Sequence, residues 1–483
     1  MRFHIVTLGC PKNEVDSEGM EVLLTEAGHC PVAELSEADL VIVNTCGFID
    51  AARVESMAAL KDVSARRKQG SLLIAAGCLA QREGSALGRV VPGLDGVIGC
   101  RNWPEIARMV EMARQCHVRR NSHIPLLVGG DSLLWEVRRK PRRGSGYVKI
   151  SDGCDAACAF CAIPGIKGPY RSKPRALILE EVRQLVDGGA LEVVLVAQDS
   201  TAYGLDRGEK DGLANLLREI AASAPELRWL RVLYLYPQRI TPVLLETMAG
   251  LSRVCRYVDI PLQHTHPSVL QRMRRPQDDV SRLIETLRCS LPDVAIRTTF
   301  IVGFPGETEA EHRHLLRSME RLRFDRVGVF VYSPQEGTPA FDMPDQIPDR
   351  VKQRRWREAM EVAQRVSRDQ NRKLVGKELD VLVEGVEIEA GGREPMLAGR
   401  SYRDAPEVDG LVLFTGRAAV GEMVKVRITA ALEYDLVGEM VTMDGVTGDG
   451  GTRRHGDTEK NLPLPRGEGR DESLSSRRVA GSM

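Results

Sequence analysis

The chain has 483 residues, with 67 Lys+Arg against 67 Asp+Glu and a formal net charge of zero. No whole-molecule field therefore draws it to nucleic acid or to a membrane surface. The start, MRFHIVTLGCPKNE, lacks the apolar core and cleavage site of a secretory leader. No run of about 18 apolar residues follows, so a cytoplasmic protein without a membrane partner is expected. Eleven cysteines in such a compartment point to metal binding or catalysis rather than disulfides.

In chain order, FHIVTLG (3–9), DLVIVNT (39–45) and SLLIAAG (71–77) are short Val/Ile/Leu-rich runs with helical stretches between them, which predicts an open parallel α/β domain over residues 1–116. Cys10, Cys46 and Cys78 each follow one of these runs. Carboxyl ends of parallel strands share one sheet edge, where ligands bind in open α/β folds, so the three thiols are expected to converge. Gly9 and Gly77 beside them, with Asn13 and Asn44 nearby, suit a backbone that approaches a cofactor closely. Ordinary buried cysteine is the competing reading of that set.

Residues 117–146, which include RRKPRRGSG, read as a linker. From 147 to 348 six further apolar runs begin at Tyr147, Glu192, Trp229, Tyr257, Ala295 and Val327, which predicts a partial barrel of six βα units with working groups at the strands' carboxyl ends. The loop ISDGCDAACAFCAIPG (150–165) follows the first of these strands and carries Cys154, Cys158 and Cys161. A closed structural zinc site takes four ligands, and this stretch offers three. Three thiolates around a [4Fe–4S] cluster would leave one iron open to a non-protein ligand such as S-adenosylmethionine (SAM), whose amine and carboxylate can chelate it. Three unrelated thiols or an incomplete zinc knuckle remain the alternatives.

A charged helix is expected over 349–373 as a bridge, a small antiparallel β domain over 374–440, and a disordered tail over 441–483. The β domain holds 13 Asp+Glu against 9 Lys+Arg between positions 372 and 440. An acidic face disfavours RNA and suits a basic protein partner. Cys30, Cys100, Cys116, Cys255 and Cys289 stand alone and read as core thiols.

These words resemble a known family. GCDAACAFCAIP, with Phe160 between its last two cysteines, resembles the signature of radical SAM enzymes, and the set Cys10, Cys46 and Cys78 resembles that of their methylthiotransferase branch. YRSKP (170–174), AQDSTAYG (197–204), IPLQH (260–264), RTTFIVGFPGE (297–307) and YSPQEGTPA (332–340) extend the likeness over nearly the whole chain. TLGCPKNEVDSE (7–18), NTCGFID (44–50) and GRSYRDAPEVDG (399–410) are similar to members that modify an aspartate of ribosomal protein S-twelve. Members acting on a tRNA adenosine typically read GCQMN and NTCSVR at the first two of these places.

The resemblance implies two [4Fe–4S] clusters. One, on Cys154, Cys158 and Cys161, would cleave SAM, and the other, on Cys10, Cys46 and Cys78, would carry the sulfur inserted at the aspartate β-carbon. A second SAM would supply the methyl group, and a reducing electron donor is required. The resemblance also places Phe160 near SAM and likens the β domain to a TRAM module; Gln198, Asp199, Gln263, His264 and Arg297 lie at or just beyond predicted strand ends, where family members bind SAM, with a purely structural hydrogen-bonding role as the alternative for each. A tRNA substrate, or a non-catalytic iron–sulfur protein, are the competing readings. Ala156, Ala157 and Ala159 replace more polar residues expected in the loop, which touches packing rather than ligation.

Overall fold

The computed structural model describes residues 1–118, 124–130, 139, 144–275, 279–387 and 396–441. Strands β1 (Arg2–Thr7), β2 (Cys30–Pro31), β3 (Leu40–Thr45), β4 (Leu72–Ala76), β5 (Gly96–Gly99) and β6 (Leu126–Leu127) form one parallel sheet in the order β2-β1-β3-β4-β5-β6. Strand alternation sends Leu40 and Ile42 to one face, against Met20, Leu24, Ile106 and Met109. Val41 and Val43 go to the other, against Leu60, Val63 and Leu87. Both faces are covered by helices, which is why the runs read as uniformly apolar.

The central region holds β7 (Ser145–Lys149), a small antiparallel pair β8 (Ser151–Asp152) and β9 (Arg171–Ser172), and then β10 (Glu192–Val196), β11 (Trp229–Val232), β12 (Tyr257–Asp259), β13 (Ala295–Val302) and β14 (Arg326–Val331). Two parallel sheets, β11-β10-β7 and β12-β13-β14, carry the six principal strands. The Leu230–Val254 bridge and the Leu235 N–H donating to Asp259 O, at 2.8 Å, join them into an open barrel. The helix Asp349–Arg372, expected as a bridge, also closes this barrel: Ala359, Val362 and Val366 sit in its core, and Trp356 Nε1 donates to Val329 O at 2.9 Å.

The last strands are β15 (Glu378–Glu387), β16 (Met396–Ser401), β17 (Val412–Thr415), β18 (Met423–Ala431) and β19 (Leu436–Met440). They close into a barrel in the order β15-β16-β17-β19-β18, where the sequence suggested an antiparallel domain; β17 and β19 pair in parallel. Buried ion pairs dock it on the central strands. Glu192 accepts from Arg231 Nε at 2.8 Å and Arg400 Nη2 at 2.6 Å. Asp404 accepts from Arg326 Nη2 at 2.6 Å, and Asp409 from Arg297 Nε at 3.3 Å. The acidic excess expected to face a partner is thus partly spent inside the molecule, because Asp404 and Asp409 are buried against barrel arginines. The tail after residue 441 and most of the linker at 117–146 fall outside the described residues.

Candidate active site

The carboxyl ends of β1, β3 and β4 deliver Cys10, Cys46 and Cys78 to one edge, and the loop after β7 and β8 delivers Cys154, Cys158 and Cys161 opposite them. All six thiols line a single cleft. The strand ends are tied together by asparagines. Asn13 Nδ2 donates to Leu8 O at 2.9 Å and Thr45 O at 3.0 Å, and Asn44 Nδ2 donates to Asn13 O at 2.8 Å. Ser56 Oγ accepts from the Cys46 N–H at 2.9 Å and donates to Cys46 O at 2.8 Å. Gly77, at φ +92°, brings Cys78 into place. A Cβ there would overlap Asn44 Oδ1 and Thr45 O, so the turn demands glycine. Gly9, also at φ +92°, abuts Cys46, whose Cβ would lie 2.8 Å from an added methyl.

The second loop is pinned at both ends. The Cys154 N–H donates to Gly168 O at 3.2 Å, and the Ala159 N–H donates to Met273 O at 2.9 Å. Arg275 Nη1 donates to Cys158 Sγ at 3.5 Å and stacks over the Tyr236 ring, 4.2 Å from its centroid. A buried lattice of charge binds the two halves of the cleft. Lys149 pairs with Asp16, and Lys167 lies 3.4 Å from Asp152 and 3.8 Å from Asp16. Asp16 comes from the N-terminal domain and the others from the central barrel, so these pairs fix the distance between the triads.

The donor set suits iron–sulfur clusters. Among the described residues no three His, Cys, Asp or Glu side chains converge on one metal ion. Each protein thiolate of a cube binds a different iron, so its ligands surround a volume rather than a point. Burial, with Cys78 and Cys10 nearby, pushes the Cys46 thiol up to about 12. Burial, with Cys158 and Cys154 nearby, does the same to Cys161. Such thiols are neutral without metal and must release protons on binding it.

Of the residues expected near SAM, Phe160, Gln198 and Gln263 line the cleft. Both polar atoms of the Gln198 amide and Oε1 of Gln263 are buried without a hydrogen-bond partner, as is the neighbouring Thr299 Oγ1. Orphaned amides at a cavity wall are vacancies for a polar ligand. Asp199, His264 and Arg297 are absent from the lining. Asp199 caps the turn that follows it, accepting from Ala202 N at 3.2 Å, and pairs with Arg239. His264 Nδ1 accepts from His266 N at 2.9 Å and its Nε2 faces Glu307 at 3.4 Å; burial lowers its pKa, with Glu307 opposing. Arg297 is held by Asp259 at 2.8 Å and by Asp409 of the C-terminal barrel. The structure thus gives each of these three residues intramolecular partners in capping or docking.

The cleft also contains Lys12, Lys167, Tyr234, Tyr236, Arg275 and Thr299, none of them singled out from sequence. Tyr234 and Gln263 hold positive φ values of 62° and 69°. Strained non-glycine backbone of this kind gathers at functional sites. Of the cysteines read as core thiols, Cys100 and Cys255 are buried, whereas Cys30 and Cys289 are exposed. Cys100 is not isolated: it follows β5 at the same sheet edge and packs against Cys78 and Ile166. Among the described residues no helix is long and apolar enough to cross a membrane.

Comparison with known proteins places all three regions of the chain in known families. Residues 2–99 match the uncharacterized protein family UPF0004, residues 148–319 the radical SAM superfamily, and residues 375–441 the TRAM domain. A ribosomal protein uS12 methylthiotransferase RimO of Roseiflexus sp. is 50% identical over 461 residues, covering 91% of this chain and 97% of its own. The protein of that name from Geobacter sulfurreducens is 43% identical, covering 91% of this chain and 98% of its own. In fold, the chain is similar to the radical SAM methyltransferase TsrM of Kitasatospora setae, solved with cobalamin and a [4Fe–4S] cluster. Its TM-score is 0.53 at 17% identity, over 70% of this chain and 77% of that one.

Proposed function

The chain belongs to the RimO family of uS12 methylthiotransferases, which carries the radical SAM domain, and on that premise we propose that its two cysteine triads hold two [4Fe–4S] clusters facing one substrate-binding cleft. Cys154, Cys158 and Cys161 hold the cluster that meets SAM, and Cys10, Cys46 and Cys78 hold the cluster that carries sulfur. Bound there, these groups would supply one-electron cleavage of SAM by a low-potential donor to a radical that takes a hydrogen atom from the β-carbon of an aspartate in uS12, and the sulfur, methylated by a second SAM, that replaces that hydrogen.

The residues of the chain do the positioning. Gln198, Gln263 and Thr299 offer their unpartnered amide and hydroxyl groups to the polar edges of SAM. Arg275 donates to Cys158 Sγ and stabilises negative charge on that side. The pairs of Asp16 with Lys149 and Lys167 keep the triads facing each other, so that a single substrate carbon can be reached from both. The observation that carries this reading is the convergence of six thiols, distant in sequence, on one cleft.

The experiment compares a strain lacking this protein with its parent, by mass spectrometry of uS12 and of tRNA nucleosides. Loss of a methylthio group from uS12 with tRNA unchanged is expected. Loss of a methylthio-adenosine instead would keep the enzyme class and overturn the substrate.

A further inference from the structure

Three cations line the cleft, and two of them each hold two polar partners. Lys167 faces Asp152 and Asp16, at 3.4 and 3.8 Å. Arg275 donates to Pro261 O at 2.7 Å and to Cys158 Sγ. Lys12 is different. Its side chain is buried, with the residue 4% exposed, yet Nζ makes one hydrogen bond, of 3.4 Å, to Ala197 O. Its other neighbour is the Tyr234 ring, 3.8 Å from the ammonium to the centroid. No carboxylate among the described residues pairs with it. In the buried lattice beside it, Asp16 and Asp152 are already taken up by Lys149 and Lys167. A buried ammonium is tolerated when an anion is to arrive beside it.

Its position shows which anion. Lys12 stands two residues after Cys10, at the start of the helix Pro11–Glu26. Nζ nevertheless reaches the carbonyl of Ala197, the residue before Gln198. The ammonium therefore lies in the interval between the sulfur-carrying side and the SAM side. The reacting carbon of a substrate must occupy that interval to be served by both.

We infer that Lys12 is a positioning and specificity-determining residue whose ammonium binds the side-chain carboxylate of the substrate aspartate. The inference rests on the uS12 reading above and deepens it. A charge-assisted hydrogen bond to the carboxylate fixes the β-carbon, one bond away, between the triads. A neutral amide in its place forfeits the ion pair and leaves the ammonium unmatched.

The test measures binding of two peptides, spanning the target loop of uS12 with either Asp or Asn at the modified position, to anaerobically reconstituted enzyme. Fluorescence anisotropy gives the affinities, and iron content is measured alongside. Wild type is expected to prefer the Asp peptide by about 10- to 100-fold. Lys12→Met should bring that ratio within about 3-fold, and Lys12→Arg, which restores a cation, should keep most of it. A Lys12→Met protein that keeps the wild-type ratio overturns the inference, and if it has also lost iron, Lys12 serves charge balance at the metal site. Equal affinity of wild type for the two peptides overturns it as well. Conversion of the Asp peptide to its methylthio form by wild type separates the two levels: with conversion and an unchanged ratio, the Lys12 role alone falls. Without conversion, the uS12 reading falls and takes this inference with it.

Discussion

Glu192→Gln tests whether the C-terminal barrel is held by buried charge. Glu192 is fully buried on β10, and burial opposes its ionisation, but Arg400 and Arg231 overcome that and hold its pKa down to about 2 from an ordinary 4.5. At about 1.4 kcal/mol per pH unit, the depression corresponds to about 3 kcal/mol of stability. Because the folded pKa is lowered, this stability is present in full above pH 4.5 and is lost as pH falls toward 2. Glutamine keeps the shape and removes the charge, leaving Arg231 and Arg400 buried around a neutral amide. Hydrogen exchange of amides in β10 and β16 measures the opening free energy. At pH 7 the variant should open about 3 kcal/mol more easily than wild type. At pH 3 wild type has given up about 2 of these, so the two should differ by about 1 kcal/mol. A difference below about 1 kcal/mol at pH 7, or one that does not shrink with acid, would refute the reasoning.

Other outcomes follow from the site. Gly77→Ala should displace Cys78 and lower iron content by about half, leaving SAM cleavage by the opposite triad, as read from iron assay and 5′-deoxyadenosine. Gln263→Ala should weaken SAM binding by about 10-fold in equilibrium dialysis, because it removes a polar group waiting at the cavity wall. Asp16→Asn should destabilise the protein by about 3–5 kcal/mol in urea titration, since it leaves Lys149 and Lys167 short of a buried partner. Iron loading should be faster at pH 8.5 than at about 6.5, because Cys46 and Cys161 start protonated and must lose their protons; a loading rate independent of pH would contradict this.

The architecture was largely legible because parallel strands buried on both faces leave continuous apolar runs, and residues 3–9, 39–45 and 71–77 lie over β1, β3 and β4 to within two residues at each end. Cysteines immediately after such runs share an edge by topology alone, which is how Cys10, Cys46 and Cys78 could be grouped. Lys12 could not be found this way. That no carboxylate among the described residues pairs with it emerges only once β10 and the ring of Tyr234 are packed against it. Arg297 shows the converse: a polar group at a strand end serves ligand or neighbour equally well in sequence, and the Asp409 of the C-terminal barrel that pairs with it is supplied by tertiary packing. Cys100 looked solitary because the proximity of β5 to β4 is a property of the sheet order, not of the chain.

The central claim is tested most directly in one anaerobic reaction of purified protein with SAM, a low-potential reductant and uS12, measuring 5′-deoxyadenosine and methylthio-uS12 together for wild type, Cys154→Ala and Cys10→Ala. Two clusters with divided roles predict both products from wild type, neither from Cys154→Ala, and 5′-deoxyadenosine without methylthio-uS12 from Cys10→Ala. Methylthio-uS12 formed by the Cys10→Ala protein would contradict the account.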